Sequence, residues 1–277
     1  MPPDTENRPA TSERTLGELA LRLITAAVLI PFALAVVWLG GWSLALGAAA
    51  FALAMAYEWS AMSRLKWRKL AMAWVAIANL AVPWVGLSVG LGVLCTGAIV
   101  FAGLAGRDRL MAGFGLLYAG GLPLGLQALR MGEWDGQSAA LILMAIVWAS
   151  DSAAYFAGRG FGGPPLSSDS PNKTWSGALG AVFCCTLCGA IAAGILNGNQ
   201  VVWLLVGAGI SVVAQGGDLL ESSIKRHYGV KDASRLVPGH GGVMDRVDGL
   251  GAVCVIGGLI LTASPGLVAA LGLQVAL

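Results

Sequence analysis

The chain has 277 residues, of which 57% are hydrophobic and 12% are charged, about half the charged fraction of a typical soluble domain. These values exclude a soluble globular protein and a disordered chain. The long unbroken apolar runs exclude an outer-membrane barrel, whose strands alternate over about ten residues. A net charge of +2 excludes a nucleic-acid partner, which would require a broad basic surface.

The charged residues occur in a few clusters that separate long uncharged runs. At about 20 residues per crossing, these runs predict about nine transmembrane helices. The predicted spans are 23–41, 43–57, 70–83, 84–105, 110–129, 137–157, 175–196, 201–220 and 249–273. Their breaks coincide with Gly40-Gly41, Pro83 and the turn at 197–200, because these residues favour a turn or lack a helix donor. The sequence therefore predicts an all-α, polytopic membrane bundle.

The positions of lysine and arginine predict the orientation of this bundle, because these residues are retained on the cytoplasmic side during insertion. With a cytoplasmic N-terminus, every Lys and Arg except Arg130 falls on the cytoplasmic side. The stretch 1–22 is polar and carries both signs of charge, which predicts a short disordered tail. The apolar run 23–57 is too long for a signal peptide, which predicts a retained first span. The N-terminal transmembrane helices then occupy 23–147, and 148–277 forms a candidate catalytic transmembrane region with cytoplasmic polar loops.

The segment 148–177 is the first that concentrates polar residues beside the membrane. Asp151 follows an apolar run, and a turn over 170–172 brings Lys173 directly before the seventh span. Lys173 is a candidate phosphate ligand, although an orientation signal is an equal reading. Trp175 is most simply an interfacial anchor.

The segment 218–248 contains ten charged residues. Asp218, Glu221, Ser222 and Lys225 share one face of a helix, which could carry a metal ligand and a phosphate donor. An ordinary Glu221–Lys225 pair at a solvated helix end is the alternative. Asp218, however, follows the uncharged run 174–217, and a carboxylate at membrane depth costs about 2.5–3.5 kcal/mol.

The second half of this segment adds hard oxygen ligands and a glycine pair. Asp245 and Asp248 share a helix face at a spacing that suits Mg²⁺, unless they belong to a structural salt-bridge cluster. The Gly241-Gly242 backbone could turn its N–H groups toward an anion, or form a simple turn. The basic loop over 225–231 could be only an orientation signal or an anchor for anionic lipid headgroups. The five cysteines lie in apolar runs and indicate neither a disulfide framework nor a zinc site.

These residues resemble the signature of the phosphatidate cytidylyltransferases, also called CDP-diacylglycerol synthases, over about 148–250. The downstream motifs are Ser222-x-Ile224-Lys225-Arg226, Lys231-Asp232-x-Ser234 and Pro238-x-His240-Gly241-Gly242-Val243-x-Asp245-Arg246-Val247-Asp248. The upstream motifs are Asp151-x-x-Ala154-Tyr155-x-x-Gly158-x-x-Phe161-Gly162 and Ser170-Pro171-x-Lys173-Thr174-Trp175-x-Gly177.

The resemblance implies the reaction CTP + phosphatidate → CDP-diacylglycerol + pyrophosphate, with Mg²⁺ as cofactor. It assigns metal binding to Asp218, Asp245 and Asp248. The phosphates of the two substrates would contact Lys173, Lys225, Arg226, Lys231, Arg246 and the Gly241-Gly242 backbone. Ser222 would orient a phosphate, and Asp151 and Asp232 would hold cations or contact the nucleotide. His240 would donate to a phosphate, assist protonation of the leaving group, or only fix its own turn.

The resemblance also predicts the setting of the reaction. CTP would enter from the cytoplasm and phosphatidate laterally from the lipid leaflet, in a bacterial inner membrane. A second cation and a homodimer are also compatible with the sequence. Three other functions fit part of the sequence: a CTP-dependent polyprenol kinase, a transporter that uses intramembrane charges, and a membrane scaffold.

Overall fold

The computed structural model describes residues 11–132, 135–234, 236–237 and 241–273, without the side chains of 11–19, 22, 107 and 265. Over these residues the chain forms helices joined by loops, which confirms the predicted all-α class. The helices are α1 Thr11–Leu39, α2 Gly41–Met62, α3 Arg68–Val85, α4 Leu87–Leu104, α5 Arg109–Met131, α6 Gly136–Phe161, α7 Trp175–Leu196, α8 Gln200–His227, α9 Met244–Ala263 and α10 Pro265–Ala270.

Seven of the described helices, α2 and α4 to α9, are long and apolar enough to cross a membrane. The apolar part of α1, Leu23–Leu39, is shorter. Each predicted span coincides with one of the helices α1 to α9, and the last predicted span also includes α10. The chain is therefore a polytopic membrane helical bundle.

Several predicted helix boundaries are wrong. Helix α1 begins at Thr11, so the part of the predicted tail that the structure describes is helical rather than disordered. Pro83 lies inside α3, and the break falls at Gly86, whose φ of 85° is rarely adopted by other residues. Pro83 has no N–H to donate to the Asn79 carbonyl oxygen one turn earlier, and α3 ends two residues later at Val85.

The predicted turn between the seventh and eighth spans is confirmed. Asn197 adopts the left-handed conformation that ends α7, with a φ of 52°. The Asn199 side chain then accepts hydrogen bonds from the N–H groups of Val201 and Val202 at the start of α8. Two asparagines thus supply the end of one helix and the beginning of the next.

The helices pack around two main apolar cores. The first lies within α2 to α5, which we call the N-terminal helix group, and includes Met55, Trp59 and Phe101. The second lies mainly within α6 to α10 and includes Cys185 and Trp203. Helix α9 packs against both α5 and α8. The first core also includes Ile224 of α8 and Met244 of α9, so the end of α8 and the start of α9 lie against the N-terminal helix group.

We predict that Asn79→Ala lowers the free energy of unfolding by about 1–3 kcal/mol, because it leaves a buried amide without its acceptor. Asn79 is fully buried on α3, where it accepts a hydrogen bond from Gln127 Nε2 and donates to the Gly120 carbonyl oxygen. Thr96→Ala is the control, since Thr96 is exposed and bonds only within α4. Thermal unfolding in detergent measures the stability of both variants. Equal unfolding midpoints for Asn79→Ala and Thr96→Ala would contradict the prediction.

Candidate active site

Two pairs of carboxylates lie between α8 and α9. The carboxyl groups of Asp218 and Asp248 are close enough to interact directly, and so are those of Glu221 and Asp245. Because α9 runs antiparallel to α8 and both helices space their acids by three residues, the two pairs lie about one helical turn apart. We call these four residues the acidic cluster.

Each pair of the acidic cluster has one lysine. Lys173 Nζ lies 2.7 Å from Asp218 Oδ2. Lys225 Nζ lies 3.0 Å from Glu221 Oε1 and 2.7 Å from Asp245 Oδ1. The Glu221–Lys225 pair therefore forms, but it is not at a solvated helix end, because the Glu221 side chain has no exposed surface.

Glycines beside the aspartates let α8 and α9 approach closely. A methyl group at Gly217 would lie 2.6 Å from the Asp248 carbonyl oxygen. A methyl group at Gly249 would lie 3.0 Å from Asp218 Oδ1. The residue next to each aspartate in the sequence thus makes room for the other aspartate.

The loop between α6 and α7 fixes the position of Lys173. The Lys173 N–H donates to the Ser170 carbonyl oxygen at 3.1 Å, and the Lys173 carbonyl oxygen accepts from the Leu166 N–H at 2.6 Å. The next residue, Thr174, caps α7 by accepting a hydrogen bond from the Gly177 N–H. Asp151, in the body of α6 rather than at its end, interacts electrostatically with both Lys173 and Asp218.

Asp245 joins the acidic cluster to the loop that precedes α9. Its Oδ2 atom accepts hydrogen bonds from the Gly242 N–H at 2.8 Å and the Ala233 N–H at 3.2 Å. The Gly241 N–H donates to the Val237 carbonyl oxygen at 3.1 Å. Both N–H groups that the sequence assigned to phosphate thus donate within the chain, so their binding to substrate stays a prediction.

Other predicted residues lie outside the acidic cluster. Arg226 is exposed and donates to the Val230 carbonyl oxygen at 2.9 Å. Ser222 is half-buried on α8, next to Glu221. Three further predicted residues are exposed on the loop or the first turn of α9: Lys231, Asp232 and Arg246. His240 lies outside the described residues.

Three residues of this region were not predicted as site residues. Glu221 was placed on the same helix face as Asp218 and Lys225, but it was assigned no role at the site. Glu58 on α2 is buried against the loop before α9, and its place after the uncharged run 23–57 is the same signal that identified Asp218. Tyr118 on α5 donates its hydroxyl hydrogen to Glu221 Oε2 at 3.1 Å, and a tyrosine within an apolar helix gives no such signal.

The balance of acidic and basic side chains in this region determines whether it could hold the predicted metal ion. With Asp151, five carboxylates surround two lysines, so the region has an excess of acidic groups. No group of three or more metal-ligating side chains occurs among the residues that the structure describes. Asp218 and Asp248 form a two-carboxylate donor set. This set fits Mg²⁺, which usually takes one or two carboxylates and completes its shell with water and phosphate oxygens.

Comparisons with known proteins agree with these features. A model of the cytidylyltransferase family matches residues 20–263, which include the acidic cluster and Lys173. The chain is 40% identical to the phosphatidate cytidylyltransferase of Brucella suis biovar 1 over 253 residues, 87% of this chain and 92% of the relative. It is 30% identical to the phosphatidate cytidylyltransferase of Staphylococcus haemolyticus over 245 residues, 83% of this chain and 94% of the relative.

We predict that Gly217→Ala separates α8 from α9 at the acidic cluster and costs about 1–3 kcal/mol of stability, the usual effect of overpacking. Gly216→Ala is the matched control, because a methyl group at Gly216 meets no atom within 4 Å and alanine favours a helix. Thermal unfolding of the two detergent-solubilised variants compares them. A Gly217→Ala midpoint equal to that of Gly216→Ala would show that the helices have room to spare there.

Proposed function

Since the chain belongs to the cytidylyltransferase family, we propose that it transfers the cytidylyl group of CTP to phosphatidate, giving CDP-diacylglycerol and pyrophosphate. The observation that carries the proposal is the acidic cluster with its two lysines, placed between two membrane helices. Its carboxylates suit a divalent cation, and Lys173, the more exposed of its two lysines, suits a phosphate group. The names of the relatives support CTP and phosphatidate as the substrates.

In the proposed reaction a phosphate oxygen of phosphatidate attacks the α-phosphorus of CTP. A new P–O bond forms as the bond from the α-phosphorus to the oxygen that bridges it to the β-phosphorus breaks, and pyrophosphate leaves. Both reactants are anions, so the protein must neutralise their charge and align them. Lys173, with one third of its side chain exposed, can contact a phosphate while it stays beside Asp218.

We assign Mg²⁺ to the Asp218–Asp248 pair. When bound there, Mg²⁺ supplies positive charge to the phosphate oxygens and stabilises the leaving pyrophosphate. Asp245, the third predicted ligand, has a different role in this proposal, because its two oxygens hold Lys225 and the loop amides. It positions the lysine and the loop beside the ion.

An apolar groove supports a lipid substrate. It is lined by Phe32, Val36, Met55, Leu122, Val247 and Leu250, which belong to four helices. Val247 and Leu250 flank Asp248 on α9 in the sequence, so acyl chains in this groove would bring a lipid headgroup near the carboxylates. We place the site at the cytoplasmic face of a bacterial inner membrane, because the lysines and arginines favour that orientation and the relatives are bacterial.

The direct test is to incubate the purified protein in detergent with CTP and phosphatidate, with and without Mg²⁺, and to separate the lipid products. We expect CDP-diacylglycerol and pyrophosphate in equal amounts, and only with Mg²⁺. A parallel reaction contains CTP and a polyprenol. A phosphorylated polyprenol formed there would instead indicate a lipid kinase. If neither phosphatidate nor the polyprenol is converted, the proposal is refuted, and a transporter or a scaffold would remain as the alternatives.

We predict that Asp248→Asn lowers the rate at least about a hundredfold, because a metal ion contributes several kcal/mol and each 1.36 kcal/mol is a tenfold change in rate. Binding of Mn²⁺ without substrates, followed by electron paramagnetic resonance, should weaken in parallel. Asp108→Asn is the control, since Asp108 is exposed in the turn between α4 and α5. Wild-type Mn²⁺ affinity in Asp248→Asn would remove this residue from the metal site.

A further inference from the structure

Glu58 lies in the second-last turn of α2, far along the chain from the polar segments. Its side chain has no exposed surface. It follows the uncharged run 23–57, so its carboxylate lies near membrane depth, where a charge is costly. A carboxylate in such a place requires hydrogen-bond donors.

Those donors come from the loop before α9 and from the first residue of that helix. Glu58 Oε1 accepts hydrogen bonds from Ser234 Oγ at 2.6 Å and from the Val243 N–H at 2.7 Å. Glu58 Oε2 accepts from the Met244 N–H at 2.8 Å. Val243 is the N-cap residue of α9 and makes no side-chain cap of its own. Glu58 therefore caps α9 from a different helix, and its charge lies at the positive end of the helix dipole.

The capped segment is the one that carries the aspartates. Gly242 lies between two carboxylates: a methyl group there would lie 3.0 Å from both oxygens of Glu58 and 3.0 Å from Asp245 Oδ2. Asp245 follows Met244 directly, and Asp248 lies one helical turn further along α9. The position of both aspartates thus depends on where Glu58 holds the start of the helix.

We infer that Glu58 is a positioning residue for the proposed reaction. It fixes the N-terminus of α9 so that Asp245 meets Lys225 and Asp248 meets Asp218. It acts through backbone N–H groups and a serine hydroxyl, and it supplies no ligand to the metal pair. The inference rests on the proposed function, since it concerns the same metal and phosphate site.

The test is Glu58→Gln in the full chain, because glutamine keeps the shape but sets an amide NH₂ group against a backbone N–H. Hydrogen exchange measured by mass spectrometry should be about tenfold faster in peptides that cover 243–250, the result of losing a hydrogen bond to a charged group. Mn²⁺ binding without substrates should weaken about 10–100-fold, as for other residues that orient metal ligands. The kcat should fall more than the KM for CTP rises.

Asn79→Ala is the matched control. It destabilises the same helix group, yet Asn79 bonds only within α3 and α5. We expect Asn79→Ala to keep wild-type exchange over 243–250 and wild-type Mn²⁺ affinity at a similar loss of thermal stability. If the two variants change these quantities equally, Glu58 has only a general structural role and the inference is wrong.

Ser234→Ala provides a milder variant should Glu58→Gln not fold. It removes one of the three hydrogen bonds to Glu58, and we expect a smaller increase of exchange in the same peptides. Wild-type exchange in Ser234→Ala would then overturn the inference. An inactive wild-type protein refutes the proposed reaction, whereas an active wild-type protein with unchanged exchange and Mn²⁺ affinity in Glu58→Gln refutes only the role of Glu58.

Discussion

The mutual repulsion of carboxylates between α8 and α9 is the constraint on which the site depends. Asp218 lies beside Asp248, and Glu221 beside Asp245, in a region largely shielded from water. Two carboxyl groups in such a medium remain together only when a cation or a shared proton offsets their repulsion. Lys225 bridges one pair with both of its contacts at 3.0 Å or less, whereas Lys173 contacts only one member of the other pair. The less neutralised pair is the one to which we assign the cation.

Several distant parts of the chain hold this arrangement in place. Gly217 and Gly249 let α8 and α9 approach closely, and Tyr118 on α5 donates a hydrogen bond to Glu221 on α8. Glu58, on α2, holds the start of α9. The N-terminal helix group, which carries none of the signature motifs, therefore contributes directly to the geometry of the site.

Sequence alone predicted the features that are local to the chain. The helical class and the approximate spans follow from the length of the apolar runs, and Asp218 is evident because it ends one of them. The i, i+3 spacing placed Asp245 and Asp248 on one helix face, but it could not show that they meet different partners. That difference arises from the antiparallel pairing of α8 with α9, which is a tertiary property. Tyr118 was missed for the same reason, since its partner lies more than 100 residues away. Glu58 carried the same local signal as Asp218, and only the identity of its partners depended on the tertiary structure.

The two lysines differ in solvent exposure and in their number of carboxylate partners, and this difference separates their roles at the site. Lys225 is 12% exposed and has two carboxylate partners, so moving it to a phosphate would leave Glu221 and Asp245 without their cation. Lys173 is 33% exposed and has one partner that we assign to the metal. The exposed part of Lys173 would therefore contact a phosphate while the lysine stays beside Asp218. Lys173 is the lysine that would contact phosphate, and Lys225 would stay in place to support the loop.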